Sequence, residues 1–287
     1  MTPADRLRAL VAAPGLHVMP GCFDALSSKL IADAGYPLSF MSGFSVSAAR
    51  LGMPDTGLIS FGEMLDTLRA VTAAAPDVAV LADGDTGYGN ALNVQRTVRE
   101  YAKAGAACVM IEDQVSPKRC GHTRGKQVVS RAESRMRIRA AVDARADHDI
   151  LIMARTDARA VHGFDDALAR CHAFVAEGAD IIFLEAPESV EEMRRFCGEI
   201  PRPTMANMID GGKTPILPPA DLEAIGYRIA AYPLVLLSAA IAAMNQTLTA
   251  LGQGTRDERP PELTFEQLQA TVGFPPYWDA EMRYKVD

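Results

Sequence analysis

Short apolar runs that alternate with amphipathic segments restrict the fold of this sequence more than any other feature. The runs are rich in Val, Ile, Leu and Met and occupy residues 16–20, 37–43, 78–85, 108–113, 150–156, 181–187, 203–208 and 227–233. Because each run is continuously apolar, it is typical of a strand covered on both faces, as in a parallel sheet. The segments between the runs, such as 90–105, have the spacing of amphipathic helices.

Eight strands alternating with helices predict an α/β fold, a closed (β/α)₈ barrel. A doubly wound open sheet is the alternative, but no glycine-rich dinucleotide-binding turn follows the first run. Glycines such as Gly105 and Gly178 stand just before the next run, where a left-handed residue closes a helix.

The pattern changes after Met244, where residues 252–261 are polar and contain prolines. The remaining residues predict one or two terminal helices with Phe274, Tyr277 and Trp278 as apolar anchors. We therefore predict a barrel over residues 1–251 and a linker with a helical appendage over residues 252–287. The appendage is too small to fold alone, and we expect it to pack on its own barrel or on a neighbouring subunit.

Composition excludes several classes of function. The chain has 287 residues, is 48% hydrophobic and carries a net charge of −7, which disfavours a nucleic-acid partner. Its five cysteines form no C-x-x-C pair, so we expect no disulfide framework or zinc site and a reducing, cytoplasmic location. The longest apolar run, 230–244, is shorter than the ~18 residues of a membrane span, so we expect no membrane partner and predict a buried strand leading into a buried helix.

Polar residues stand at the carboxyl ends of these apolar runs, where a barrel builds its active face. They are Ser42, Asp83, Asp85, Glu112, Asp113, Arg155, Asp157, Glu185 and Asn207. Any one of them could simply cap a helix. Their recurrence on successive strands favours a functional site.

The densest acidic group comprises Asp83, Asp85 and Glu112. Alternation along an extended chain would point Asp83 and Asp85 the same way, and Glu112 on the next strand could meet them. Three carboxylates together repel one another unless a cation lies between them, and oxygen ligands favour Mg²⁺ or Mn²⁺. The alternative is that the two aspartates cap a loop and Glu112 pairs with an arginine.

A second cluster lies in the long loop after the fourth run, where Cys120 is flanked by Lys118, Arg119 and His122. Neighbouring cations lower the pKa of a thiol and could also hold substrate carboxylates. The alternative is a solvated basic loop with an incidental cysteine.

Taken together, the motifs MSGFSVSAARLGMPD, ADGDTGYGN, IEDQVSPKRCGH, ARTDA and EAPES resemble the isocitrate lyase/phosphoenolpyruvate mutase superfamily over nearly the whole chain. The KRCGH element is similar to the lyase branch, which includes 2,3-dimethylmalate and methylisocitrate lyases. The resemblance implies a barrel whose terminal helix is exchanged between subunits, in a homotetramer built from helix-swapped dimers.

The resemblance also implies roles for individual residues. Mg²⁺ would be held by Asp83, Asp85 and Glu112, partly through water, with Asp55 close by. Cys120 would be the proton donor, and His122 would help to stabilise the enolate-like fragment that leaves. The substrate oxygens would be bound by Ser42, Gly43, Phe44, Gly121, Arg155, Glu185 and Asn207.

Two departures from the family pattern narrow the substrate. Methylisocitrate lyases carry an arginine shortly after the Tyr-Pro pair, whereas LVLLSAA follows Tyr232-Pro233 here, which disfavours a tricarboxylate. Phe40 stands where a tyrosine has been a candidate base, so the base stays unassigned. The expected activity is Mg²⁺-dependent carbon–carbon cleavage of a malate-type 2-hydroxydicarboxylate such as 2,3-dimethylmalate, giving a 2-oxo acid such as pyruvate. The alternatives are oxaloacetate hydrolysis or decarboxylation, phosphonate chemistry at a P–C bond, and non-catalytic acid binding.

Overall fold

The computed structural model describes residues 1–121, 125–255, 260 and 262–285. The chain divides into two compact units, residues 1–236 and residues 237–287, and each is described by itself.

The first unit contains a closed barrel of eight parallel strands in sequence order. The strands are β1 His17–Cys22, β2 Leu38–Met41, β3 Ala79–Asp83, β4 Cys108–Glu112, β5 Leu151–Thr156, β6 Ile181–Leu184, β7 Thr204–Asn207 and β8 Ile229–Tyr232. The last strand closes the barrel on the first, with His17 opposite Ile229 and Met19 opposite Ala231. Each strand coincides with one of the apolar runs, which confirms the predicted (β/α)₈ barrel and excludes the open sheet.

Helices alternate with the strands, as the sequence predicts, and the first helix precedes β1. They are α1 Pro3–Ala12, α2 Ala25–Asp33, α3 Gly43–Leu51, α4 Phe61–Ala74, α5 Ala91–Lys103, α6 Arg131–Arg145, α7 Arg159–His162, α8 Phe164–Ala176, α9 Val190–Glu199 and α10 Pro219–Ile225. Side-chain caps begin several of them; the Ser60 hydroxyl, for example, accepts a hydrogen bond from the Glu63 N–H. Gly105 and Gly178 both take positive φ angles after their helices, as predicted.

Two layers of apolar side chains bury the strands on both faces. The barrel interior contains large side chains such as Met19, Leu81, Met153 and Phe183. A second, larger layer lies between the strands and the surrounding helices. Burial on both faces explains why the strands appear in the sequence as continuous apolar runs.

The second unit comprises most of α11 Val235–Gln253, followed by α12 Phe265–Val272 and α13 Phe274–Arg283. The expectation that α11 is a buried helix is wrong for this chain, because only Leu237 and Ala250 of that helix are buried. By length and composition alone, α11 could span a membrane. Its polar pair Asn245-Gln246, near the middle of the helix, would be costly in lipid.

Candidate active site

Six of the polar strand-end residues converge on one cavity at the carboxyl end of the barrel. Ser42, Asp83, Arg155, Glu185 and Asn207 line the cavity directly, and Glu112 lies buried behind it. The loop after β4 contributes Lys118, Cys120 and Gly121 to the same lining. The cavity is small, about 40 Å³, so it holds little more than a few water molecules.

The start of α3 approaches the Asp83 carboxylate closely. The Gly43 N–H donates to Asp83 Oδ2 over 3.1 Å, and the Ser42 hydroxyl accepts from the Ser45 N–H as the cap of that helix. A Cβ at Gly43 would lie 2.7 Å from Asp83 Oδ2. A side chain at this position would therefore push the Asp83 carboxylate away from the backbone N–H.

Lys118 is the cation that binds the acidic side of the cavity. Its Nζ lies 2.5 Å from Asp55 Oδ1 and 3.0 Å from Asp85 Oδ1, and all three side chains are almost fully buried. Burial nevertheless raises the pKa of Asp85 to about 6, although Lys118 acts in the opposite direction. Asp85 has a positive φ of 48°, so a turn rather than strand alternation brings it beside Asp83.

Glu112 is the least satisfied carboxylate at this edge. Neither of its oxygens accepts a hydrogen bond within the described residues, and Oε2 lies 3.3 Å from Arg155 Nε. Burial raises the pKa of Glu112 well above its ordinary value, despite Arg155. We call Asp55, Asp83, Asp85 and Glu112 the acidic cluster.

The acidic cluster fits a cation by its chemistry, because both Glu112 oxygens are buried acceptors that receive no hydrogen bond from the described residues, and Asp85 Oδ1 is buried against the Lys118 ammonium, 3.0 Å away. In the described part of the chain, however, no three carboxylate, thiol or imidazole groups are placed to ligate one ion directly. A hard ion such as Mg²⁺ keeps several waters and needs few direct protein ligands. The sequence suggests either a metal site or a Glu112–arginine pair. Each describes part of the arrangement, since Glu112 has oxygens free of hydrogen bonds from the described residues and also pairs with Arg155.

Arg155 organises the opposite side of the cavity. Its Nε donates to Asp157 Oδ2 over 2.9 Å and its Nη2 donates to Asp157 Oδ1 over 3.1 Å. The same Nη2 lies 3.1 Å from Glu185 Oε2, which also accepts from Asn207 Nδ2 over 3.3 Å. Although burial opposes ionisation of Asp157, Arg155 and Lys126 hold its pKa below the usual range. We call Arg155, Asp157, Glu185 and Lys126 the Arg155 cluster.

The loop that carries Cys120 lies against the Arg155 cluster. A Cβ on Gly121 would stand 2.5 Å from Arg155 Nη2 and 2.7 Å from Glu185 Oε2, so the loop backbone contacts both side chains. Cys120 is half-buried and lines the cavity. His122 lies outside the described residues.

Five residues of the cavity lining are apolar, and we call them the apolar wall. They are Phe40, Phe44, Ile209, Pro233 and Leu234. The cations in the described lining are Lys118 and Arg155, and the segment after Tyr232 adds none. This wall suits alkyl groups and offers no partner for a third carboxylate.

Three features of the site do not follow from the sequence. Asp157 stands out in the sequence only as a strand-end acid, yet its position two residues after Arg155 could have indicated a pair on one face. Lys126 carries no local signal, because its partners are brought to it by the path of the loop. Asp113, beside Glu112, turns away from the cavity and is bound by Thr156 and Arg170.

Comparison with known proteins places this site in a family. The family model for phosphoenolpyruvate phosphomutase matches residues 7–251. The chain is 45% identical to 2,3-dimethylmalate lyase of Eubacterium barkeri, covering 99% of both chains. It is 40% identical to a chloroplastic carboxyvinyl-carboxyphosphonate phosphorylmutase of Arabidopsis thaliana, covering 97% of this chain and 84% of that protein. Identity to a probable 2-methylisocitrate lyase of Corynebacterium glutamicum is 43%, over 86% and 81% of the two chains.

Solved structures agree with this assignment. A crystal structure of 2,3-dimethylmalate lyase matches with a TM-score of 0.93 at 34% identity, covering 100% of this chain and 99% of the other. Oxaloacetate acetylhydrolase in complex with 3,3-difluorooxalacetate also gives 0.93, at 33% identity and coverages of 98% and 96%. Phosphonopyruvate hydrolase, solved with oxalate and Mg²⁺, gives 0.86 at 29% identity and covers 99% of both chains.

These matches confirm the resemblance that the sequence motifs predict, and a divalent metal is the cofactor class of the superfamily. The chain belongs to the phosphoenolpyruvate mutase/isocitrate lyase superfamily and is an enzyme of its carbon–carbon lyase group.

Proposed function

We propose that this enzyme cleaves the C2–C3 bond of a malate-type 2-hydroxydicarboxylate such as 2,3-dimethylmalate and releases a 2-oxo acid such as pyruvate. The observation that carries the proposal is the position of Cys120. Its half-buried thiol lines the same cavity as the acidic cluster, the Arg155 cluster and the apolar wall. The charged and apolar side chains of this lining suit a small dicarboxylate with alkyl substituents, and the cavity of about 40 Å³ would have to widen to admit it. Relatives named as lyases of this kind support the same interpretation.

The acidic cluster would hold Mg²⁺, with Mn²⁺ as the other candidate, through Asp83, Asp85 and Glu112 and through water, with Asp55 close by. A bound divalent ion supplies a Lewis acid that lowers the pKa of a substrate hydroxyl. The buried carboxylate oxygens of Glu112, which accept no hydrogen bond from the described residues, favour such an ion.

The chain's own residues would then bind substrate and move protons. The Arg155 guanidinium would pair with a substrate carboxylate, with Ser42, the Gly43 and Gly121 backbones and Asn207 as further polar contacts. Glu185 would position Arg155 and Asn207, and Phe44 would contact the alkyl part.

In the reaction the hydroxyl gives its proton to the base, which stays unassigned, and the C2–C3 electron pair passes to C3 as a carbonyl forms at C2. Cys120 then gives its proton to C3, so the products are a 2-oxo acid and a monocarboxylate. We propose His122, which lies outside the described residues, as a further group that stabilises the negative charge developing on the departing fragment.

The first test compares substrates. Purified enzyme with Mg²⁺ is assayed on 2,3-dimethylmalate, 2-methylisocitrate, oxaloacetate and phosphonopyruvate, with detection of 2-oxo acids, oxalate and phosphorus species. We expect 2,3-dimethylmalate to be cleaved far faster than 2-methylisocitrate, because the apolar wall offers no partner for a third carboxylate. Oxalate and acetate from oxaloacetate as the dominant reaction would instead assign hydrolysis, and phosphonopyruvate conversion alone would assign phosphonate chemistry.

The second test removes the thiol. Cys120→Ser is expected to lower kcat by about 10²–10⁴-fold, the usual contribution of a positioned proton donor. Cys197→Ser, another half-buried thiol outside the cavity, is the matched control and keeps its activity. Unchanged turnover in Cys120→Ser would reject the role of this thiol.

The third test removes the divalent ion with EDTA. Loss of a Lewis acid worth several kcal/mol is expected to lower activity by at least about 10³-fold, with recovery on adding Mg²⁺. Activity that survives chelation would overturn the metal assignment while leaving the substrate assignment open.

We further propose a cytoplasmic homotetramer of helix-swapped dimers, with residues 1–251 as the catalytic barrel and 252–287 as its appendage. The exposed apolar side chains of the terminal helices, including Phe265 and Trp278, support it. Light scattering coupled to size-exclusion chromatography checks the mass.

A further inference from the structure

Lys126 is a buried lysine with two partners at the edge of the site. Its side chain is only 2% exposed, and Nζ donates to Asp157 Oδ1 over 2.8 Å. The same Nζ donates to the backbone carbonyl of Gly121. One ammonium therefore connects the loop backbone beside Cys120 to a carboxylate at the end of β5.

The two partners of Lys126 serve different parts of the site. Asp157 fixes Arg155, since the guanidinium donates to both of its carboxylate oxygens. Gly121 lies against Arg155 and Glu185 so closely that a side chain there would collide with both. Because Cys120 is bonded directly to Gly121, the position of its thiol depends on this contact.

We propose that Lys126 is a positioning residue for Cys120: by holding the Gly121 carbonyl and Asp157 together, it fixes the Cys120–Gly121 segment against the Arg155 cluster with the thiol facing the cavity. The inference rests on the proposed function, because it assigns the proton-donating step to Cys120. This positioning role differs from a purely structural role, in which Lys126 would only neutralise the buried charge of Asp157.

Lys126→Met is the first test, because methionine has similar length and removes both hydrogen bonds. Displacing a proton donor by about 1 Å costs about 10²-fold, so we expect kcat to fall by about that factor. KM should change little, since Asp157 keeps both of its hydrogen bonds to Arg155. The matched control is Lys103→Met at an exposed position on α5, which should keep both parameters.

A double-mutant cycle separates the two roles. If Lys126 acts through Cys120, then Lys126→Met adds no further loss of kcat in the Cys120→Ser background. Losses that simply multiply would overturn the proposal, as would a normal kcat in Lys126→Met.

Lys126→Arg covers the possibility that the methionine variant fails to fold. It keeps the charge that Asp157 requires, but its planar guanidinium presents donors in a different geometry. A positioning role predicts a lowered kcat in Lys126→Arg with an unchanged melting temperature. A normal kcat there would overturn the proposal in favour of simple charge neutralisation.

Alkylation keeps this test independent of turnover. Iodoacetamide modification of Cys120, followed by peptide mass spectrometry, should accelerate in Lys126→Met while modification of Cys197 stays unchanged. Equal rates for Cys120 in both proteins would overturn the inference. If the wild-type enzyme cleaved none of the panel, the proposed function would fail, and the alkylation rates would still decide whether Lys126 holds Cys120.

Discussion

The two sides of the cavity differ in how their buried carboxylates are hydrogen-bonded and in the direction in which the pKa is shifted. In the Arg155 cluster, Asp157 receives hydrogen bonds from Arg155 and Lys126, and its pKa lies below the usual range. In the acidic cluster, Glu112 accepts no hydrogen bond from the described residues, and burial raises its pKa. In the Arg155 cluster the chain thus supplies two cations for two carboxylates. The four carboxylates of the acidic cluster face Lys118 and, at Glu112, Arg155, so this side keeps excess negative charge that suits an external cation.

The largest expected difference between the two clusters is in the free energy of unfolding when one carboxylate of each is replaced by its amide. Asp157→Asn leaves two buried cations short of a partner and should lower the free energy of unfolding by about 3–5 kcal/mol. Glu112→Gln removes a buried charge that the chain satisfies poorly, so the metal-free enzyme should lose nothing or gain stability. Urea unfolding in EDTA measures both. Equal destabilisation by the two substitutions would remove the distinction between the clusters.

The pH dependence of stability should reveal the acidic cluster separately. The pKa of Asp85 is raised by burial from 3.8 to about 6, so the folded state binds more protons than the unfolded state between these values. Stability of the metal-free enzyme should therefore fall as pH rises from about 4 to about 6, by about 3 kcal/mol for this residue. Urea unfolding across this range should show a smaller fall in Asp85→Asn.

Asp77→Asn is the control for that experiment, because the Asp77 side chain is fully exposed and should leave the slope unchanged. A slope in Asp85→Asn that equals the wild-type slope would assign the effect to other buried acids.

The strand-end members of both clusters are predictable from the sequence, whereas the loop residues that pair with them are not. Strand ends are recognisable from the apolar runs, so the sequence alone places Asp83, Glu112 and Arg155 at one rim. The partners of those residues are not predictable in this way, because they depend on the paths of loops. Lys118 reaches Asp55 across 63 residues of sequence, and Lys126 reaches Asp157 across 31.

Local geometry also limits the prediction in two places. Strand alternation predicts Asp85 beside Asp83, yet the positive φ of Asp85 shows that a turn brings the two together. The helix α3 is not predicted, although it supplies the Gly43 N–H that binds Asp83. Its sequence, GFSVSAARL, is short and begins with glycine, which gives little helical signal.

We expect burial, rather than the presence of two hydrogen bonds, to set how much an arginine–carboxylate pair stabilises the fold. Arg159 tests this expectation. It binds Glu192 through two hydrogen bonds of 3.1 and 2.9 Å, much as Arg155, four residues earlier in the chain, binds Asp157. The Arg159 and Glu192 side chains are, however, 20% and 19% exposed, so water screens the pair. Arg159→Gln should lower the free energy of unfolding by only about 1 kcal/mol or less, and less at high salt. If Arg159→Gln lowered the free energy of unfolding as much as Asp157→Asn does in the same urea experiment, bidentate geometry alone would account for the stability of the Arg155 cluster.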